Sequence, residues 1–221
     1  NTLLLDLTKP IGYDQCLNSF PSGGAAGGTS VATDGSRAWC YSTNGSPHFI
    51  HRASTAAFGE DRAQWRRNVY VPDGPVTDMT ARKAGGGGRS FLYVAQAGEV
   101  NSVLVLDGEN AEELGSIAVP GPRAVMLGTA KLYVLHRSGE MWAVSSLGLR
   151  DGVVGGKPQR LFALPDIGRP SDCQRDAAGN FYVAVSGRNQ VYQLSPDGEK
   201  IRAFGRGTRQ KPGHYDPHVF M

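Results

Sequence analysis

PSDCQRDAAGNFYVAVSGRNQVYQLSPDGEKIRAFGRG, residues 170–207, holds four short strands with the turns between them in place. A first strand is expected over 171–175, after which Ala177-Ala178-Gly179-Asn180 turns the chain into Phe181-Tyr182-Val183-Ala184-Val185. With a side-chain period of two, Phe181, Val183 and Val185 point one way and Tyr182 and Ala184 the other. Both faces are apolar, so neighbours must cover both. Ser186-Gly187-Arg188-Asn189 supplies the next turn, 191–194 the third strand, and Pro196-Asp197-Gly198 a hairpin into a fourth strand over 201–204. The product is one four-stranded antiparallel unit.

The unit recurs. Pro75, Pro122, Pro170 and Pro217 each open a short strand and Gly28 stands at the same phase, so the intervals by subtraction are 47, 47, 48 and 47. An aromatic-centred strand follows in each frame: Ala38-Trp39-Cys40, Leu92-Tyr93-Val94, Leu132-Tyr133-Val134 and Phe181-Tyr182-Val183. Units of this size that repeat side by side are blades of one ring rather than independent domains. The expected fold is all-β: a β-propeller of four-stranded antiparallel blades, about four of them visible, out of a ring of six or seven. Six blades at this period need roughly 280 residues, so the chain is expected to be part of a longer protein.

The organisation read from these markers is an N-terminal strand and glycine-rich connection over 1–27, then blades over 28–74, 75–121, 122–169 and 170–216. The first strand of a further blade follows over 217–221. Within the third blade, 145–159 reads as a long loop, and 9–22, with Pro10, Gly12 and Pro21, as a connection. Thirty glycines and thirteen prolines in 221 residues, with 40% hydrophobic and 19% charged residues, suit many short strands joined by tight turns.

Residues 170–217 resemble an NHL repeat, on the opening Pro170, Asp176 to Asn180, Phe181-Tyr182-Val183, the Gly187 to Asn189 turn, Ser195-Pro196-Asp197-Gly198 and the closing Phe204-Gly205. Where that pattern has Val-Ala-Asp after the second strand, this chain has Val183-Ala184-Val185. The resemblance covers about a quarter of the chain closely and the other frames loosely. It implies a propeller, and with it two kinds of activity. One is a binding or scaffold module that recognises a protein or glycan at the channel mouth or loop face. The other is a metal-dependent lyase or lactonase-type hydrolase, with zinc on inner-strand histidines or calcium on carboxylates and amides near the axis. The binding module, which needs no cofactor, is the favoured reading.

Charge excludes a further class. The net charge is +3, and the basic residues form only two modest clusters, over 62–67 and 202–211. That is no nucleic-acid footprint. No apolar run approaches the ~18 residues of a membrane helix. The glycine run 23–28 leads into a strand, whereas a phosphate cradle needs a helix there. Cys16, Cys40 and Cys173 have no metal spacing. Cys173 is expected to pack as a buried apolar residue, and Cys16 with Cys40 would form a disulfide only in an extracytoplasmic or secreted protein.

Inner strands line a propeller's channel, so the residues just after each marker are the candidate site. One residue on stand Thr29, Val76, Arg123, Ser171 and His218; two on, Ser30, Thr77, Ala124, Asp172 and Val219; three on, Val31, Asp78, Val125, Cys173 and Phe220. Arg123, Asp172 and His218 are the expected ligand-binding groups, with Asp78 behind them. By this count Asp78 and Asp172 are one residue out of phase, so alternation aims them differently unless a bulge intervenes. No catalytic residue follows from the spacing, and no three metal ligands coincide in phase.

Overall fold

Strand alternation and turn chemistry build five sheets. The computed structural model describes residues 2–5, 16–20, 28–43, 47–54, 66–84 and 88–205. Strands β1 (Thr2–Leu5) and β2 (Cys16–Phe20) form an antiparallel pair. The region 9–22, read from its prolines and glycine as a connection, therefore contains a strand. Each remaining sheet is one blade of four consecutive strands, paired in chain order. Blade one is β3 (Gly28–Thr33), β4 (Arg37–Ser42), β5 (Phe49–Ser54) and β6 (Arg66–Tyr70). Blade two is β7 (Val76–Lys83), β8 (Ser90–Gln96), β9 (Ser102–Asp107) and β10 (Glu113–Ala118). Blade three is β11 (Pro122–Leu127), β12 (Lys131–Ser138), β13 (Met141–Arg150) and β14 (Val153–Leu164). Blade four is β15 (Pro170–Arg175), β16 (Phe181–Val185), β17 (Gln190–Leu194) and β18 (Lys200–Phe204). The first strand of each blade lies against the first strand of the next, β3 on β7, β7 on β11 and β11 on β15. This is a β-propeller.

Turn residues are placed where the backbone needs them. Asp34 folds back to accept the N–H groups of Ser36 and Arg37 at 2.8 and 2.7 Å. Asp176 accepts from the backbone and side chain of Asn180 at 2.8 and 2.9 Å, closing the turn between β15 and β16. Short polar side chains that satisfy neighbouring amides stabilise such turns.

Alternation then assigns each face to a blade junction. Phe91, Tyr93 and Ala95 of β8 pack toward blade three, with Val125, Leu132, Val134 and Leu147. Leu92 and Val94 of the same strand pack toward blade one, with Trp39, Tyr41 and Ile50. At the next junction Phe181, Val183 and Val185 meet Ala124, Leu135 and Phe162, and the Phe181 ring takes edge contacts from Tyr133 and Phe162 at 5.6 and 5.3 Å. Burying each such side chain contributes roughly 1.5–3 kcal/mol, so the core is three inter-blade layers rather than one central mass. Tyr182, on the opposite face of β16, is only half-buried. Among the described residues no core cluster forms on that face.

The third blade departs from the expected long loop over 145–159. β13 and β14 continue as a hairpin through it, with Arg150 paired to Val153 across Asp151-Gly152. Both turn residues have positive φ, 51° and 84°, the geometry that a two-residue hairpin turn demands. The hairpin tip reaches blade two, where the buried Tyr93 hydroxyl donates to the Gly152 carbonyl at 2.7 Å. An alanine Cβ at Gly152 would lie 2.3 Å from the Phe91 ring, so the close approach itself requires glycine.

Among the described residues no helix is long and apolar enough to cross a membrane.

Candidate functional site

A bulge opens every inner strand. Pairing shifts register between Gly28 and Ser30 in β3, Val76 and Asp78 in β7, Pro122 and Ala124 in β11, and Pro170 and Asp172 in β15. Ser30, Asp78, Ala124 and Asp172 consequently hold one equivalent place, opposite Tyr41, Ala95, Leu135 and Ala184 of the second strands. The residue of blade two equivalent to Pro122 and Pro170 is thus Val76, not Pro75. Asp78 and Asp172 share a phase, which corrects the one-residue offset that counting from the prolines gave. The bulge, present at the same point in all four strands, aims these equivalent residues alike.

In blades two and three the extra residue of the bulge reaches the following blade. The Thr77 hydroxyl donates to the Pro122 carbonyl at 2.9 Å, and Arg123 Nε donates to the Ser171 carbonyl at 3.0 Å. Arg123 is therefore tied to blade four through one nitrogen, while its two terminal nitrogens have no partner among the described residues. At the equivalent place one residue on, side chains also lean forward. Ser30 donates to Asp78 Oδ1 at 3.4 Å, and Asp78 Oδ2 accepts the Val125 N–H at 2.9 Å. Asp78 so pins three inner strands together. Asp172 Oδ1 accepts the N–H of Cys173 at 2.7 Å, and this side chain is exposed.

These groups share a cavity of about 510 Å³ walled by all four inner strands. Ser30, Thr77, Asp78, Arg123, Ser171 and Asp172 supply polar groups, joined further along by Thr80 and Gln174, with Val31, Met79 and Val125 between them. Of the residues expected at the site, Asp78, Arg123 and Asp172 come together here. His218 lies outside the described residues. Ser30 stands among the positions inspected in the sequence but is not singled out there, and Thr80 and Gln174 lie beyond the three positions inspected. The signal for them is alternation counted from the bulge, which places Ala32, Thr80 and Gln174 opposite Trp39, Tyr93 and Tyr182.

Burial raises the Asp78 carboxyl to about 6, against the Val125 N–H, which favours the ionised form. The like charge of Asp172 contributes to that rise. A carboxyl held there changes charge close to neutral pH, as groups in functional clefts often do. Burial likewise pushes the Cys173 thiol far up, reinforced by the charges of Asp172 and Asp78. Cys173 is a fully buried member of the junction between blades three and four, and chemically quiet. Cys40 is buried in β4, and the Cys16 side chain lies outside the described residues.

For calcium or zinc the donor set is poor. Among the described residues no three His, Cys, Asp or Glu side chains converge on a point. Both Asp78 oxygens are engaged with Ser30 and Val125, so Asp172 alone offers a carboxylate oxygen to the cavity. The residues described do not fit a metal cage.

No family model matches the chain, and no curated protein sequence does either. Solved structures do. Virginiamycin B lyase from Staphylococcus aureus aligns with a TM-score of 0.54 at 12% identity, over 81% of this chain and 56% of that one. A streptogramin B lyase aligns at 0.54 and 13%, over 83% and 56%. A gluconolactonase from Xanthomonas campestris aligns at 0.53 and 16%, over 77% and 59%. At such identities the likeness is one of fold: the neighbours are propellers, as this chain is. The chain spans less than two thirds of the length of each.

Proposed function

We propose that the chain is an NHL-like propeller module that binds a protein or glycan ligand at the mouth of its channel. The observation that carries this reading is the cavity that Arg123, Asp78 and Asp172 share from three blades, Arg123 and Asp172 with polar atoms left over for a ligand. Its volume falls within the usual range of small-ligand sites, a few hundred to about 1,000 Å³. Loops leave the rigid strands at this end, where sequence can vary without damage to the core. A screen against immobilised glycans and peptides, repeated with Arg123→Ala and Asp172→Ala, tests it. Retained binding in both variants places the ligand elsewhere on the molecule.

A lyase or lactonase-type hydrolase with its site in the same channel is the second reading. The observation in its favour is Asp78, a cavity carboxyl that ionises near pH 6 and so is suited to proton transfer at neutral pH. Elemental analysis separates the two. Stoichiometric calcium or zinc that is lost in Asp78→Asn or Asp172→Asn makes the channel a metal centre and displaces the binding-module reading.

A further inference from the structure

Two opposite charges face the cavity without meeting. The Arg123 guanidinium is tied through Nε to the Ser171 carbonyl at 3.0 Å, which fixes its plane while its terminal nitrogens stay unpartnered among the described residues. Asp172, the residue after Ser171, spends one oxygen on its neighbour's N–H at 2.7 Å and keeps the other. Among the described residues the two side chains make no ion pair with each other, although they line the same space. Each is held by its own backbone tether, and a guanidinium so oriented offers two parallel N–H donors to a carboxylate.

Among the described residues the cavity also lacks what a sugar would use. No aromatic ring among them lines it, so the apolar face of a pyranose finds no flat surface there to cover. The groups that remain beside the two charges, the Thr80 hydroxyl and the Gln174 amide, can each pair with a peptide backbone.

We infer that the ligand is a peptide segment presenting one acidic and one basic side chain, the acid received by Arg123 and the base by Asp172. This rests on the reading of the cavity as a binding site and narrows it from protein or glycan to peptide. The ligand supplies the two partners that the protein's own charges lack. Complementary pairing of that kind selects against neutral sequences, which would strand both charges unpaired.

The experiment is calorimetric titration of the whole chain with blocked tripeptides. Acetyl-Glu-Gly-Lys-amide and its reverse, acetyl-Lys-Gly-Glu-amide, are compared with versions in which Glu becomes Gln, Lys becomes Met, or both, and with a neutral trisaccharide. One of the two doubly charged peptides should bind at least about tenfold tighter than either of its singly neutralised forms, since each charge-assisted contact is worth that much or more. Arg123→Gln should abolish the preference for Glu while keeping that for Lys, and Asp172→Asn should do the converse. Because the first comparison is made within the unaltered protein, it stands even where a variant folds poorly. Saturable binding of the trisaccharide without a charge preference among the peptides overturns this inference and leaves the cavity reading intact. A charge preference that survives both substitutions overturns it by placing the peptide elsewhere. Failure of every probe to bind overturns the inference and the cavity reading together.

Discussion

Replacing Asp78 by Asn should stabilise the protein at neutral pH and leave it unchanged in acid. Asn keeps the shape and both hydrogen bonds, because its Oδ1 can accept the Val125 N–H and its Nδ2 can donate to the Ser30 hydroxyl. What it removes is a charge that burial, and then Asp172, make unwelcome. The carboxyl ionises at 3.8 when unfolded and at about 6 when folded, so the folded state holds its proton more tightly across that interval. Stability from this group is therefore full below about pH 4, falls as pH rises from about 4 to about 6, and is level above. Two decades of proton affinity at 1.36 kcal/mol each make the loss about 3 kcal/mol. Urea unfolding of both proteins at intervals between pH 4 and 8 reads it directly. The difference in unfolding free energy should be near zero at pH 4 and grow to about 3 kcal/mol in favour of the variant by pH 7. Working on the difference cancels the other carboxylates, including Asp34, which is held below its ordinary value despite its burial by hydrogen bonds from Ser90, Ser36 and Arg37. A difference that does not change with pH would refute the reasoning, as would a wild type that is the more stable partner at pH 8. Natural proteins keep a destabilising charge where function uses it, so the variant is expected to trade stability against binding.

Tyr93→Phe strands the buried Gly152 carbonyl and should cost about 1–2 kcal/mol in chemical denaturation, although the site lies outside the cavity. Gly152→Ala combines a positive φ with a Cβ against the Phe91 ring, and thermal unfolding should show a loss of at least about 2 kcal/mol. Tyr93→Ala empties a fully buried place between blades and should cost about 3–5 kcal/mol, whereas Tyr182→Ala, half-buried, should cost clearly less; equal losses would mean that the face of β16 carrying Tyr182 is covered.

How much of this could be read from the residues depends on whether the deciding interaction is local. The blades could be read, because their signals are short-range: the aromatic strands around Tyr93, Tyr133 and Tyr182, the Asp176 to Asn180 turn and the Ser195 to Gly198 hairpin each lie within a few residues. The β13–β14 hairpin is absent from the reading of 145–159 as a long loop, although Asp151-Gly152 is a strong two-residue turn signal. The bulge, which the sequence leaves as an open alternative, falls at the same place in all four inner strands and so does not offset them. The offset comes from Pro75, which stands one residue before Val76, the equivalent of Pro122 and Pro170, while the period still looks constant. That displacement hides the equivalence of Asp78 and Asp172. The placing of Arg123 and Asp172 at one channel end follows from repeat phase, but the tether of Arg123 to the Ser171 carbonyl spans two blades and leaves no trace in the order of residues.

The central claim, that ligand enters the cavity walled by the four inner strands, is tested most directly by amide NMR during titration with the doubly charged peptides. The Val125 and Cys173 amides donate to Asp78 and Asp172, so they report on both carboxylates from within the wall. The account predicts that these two amides shift first and saturate together, with Ser30 and Gln174 beside them and the outer strand β18 silent. Shifts confined to β18 or to the tip of the β13–β14 hairpin, with Val125 and Cys173 unmoved, would contradict it.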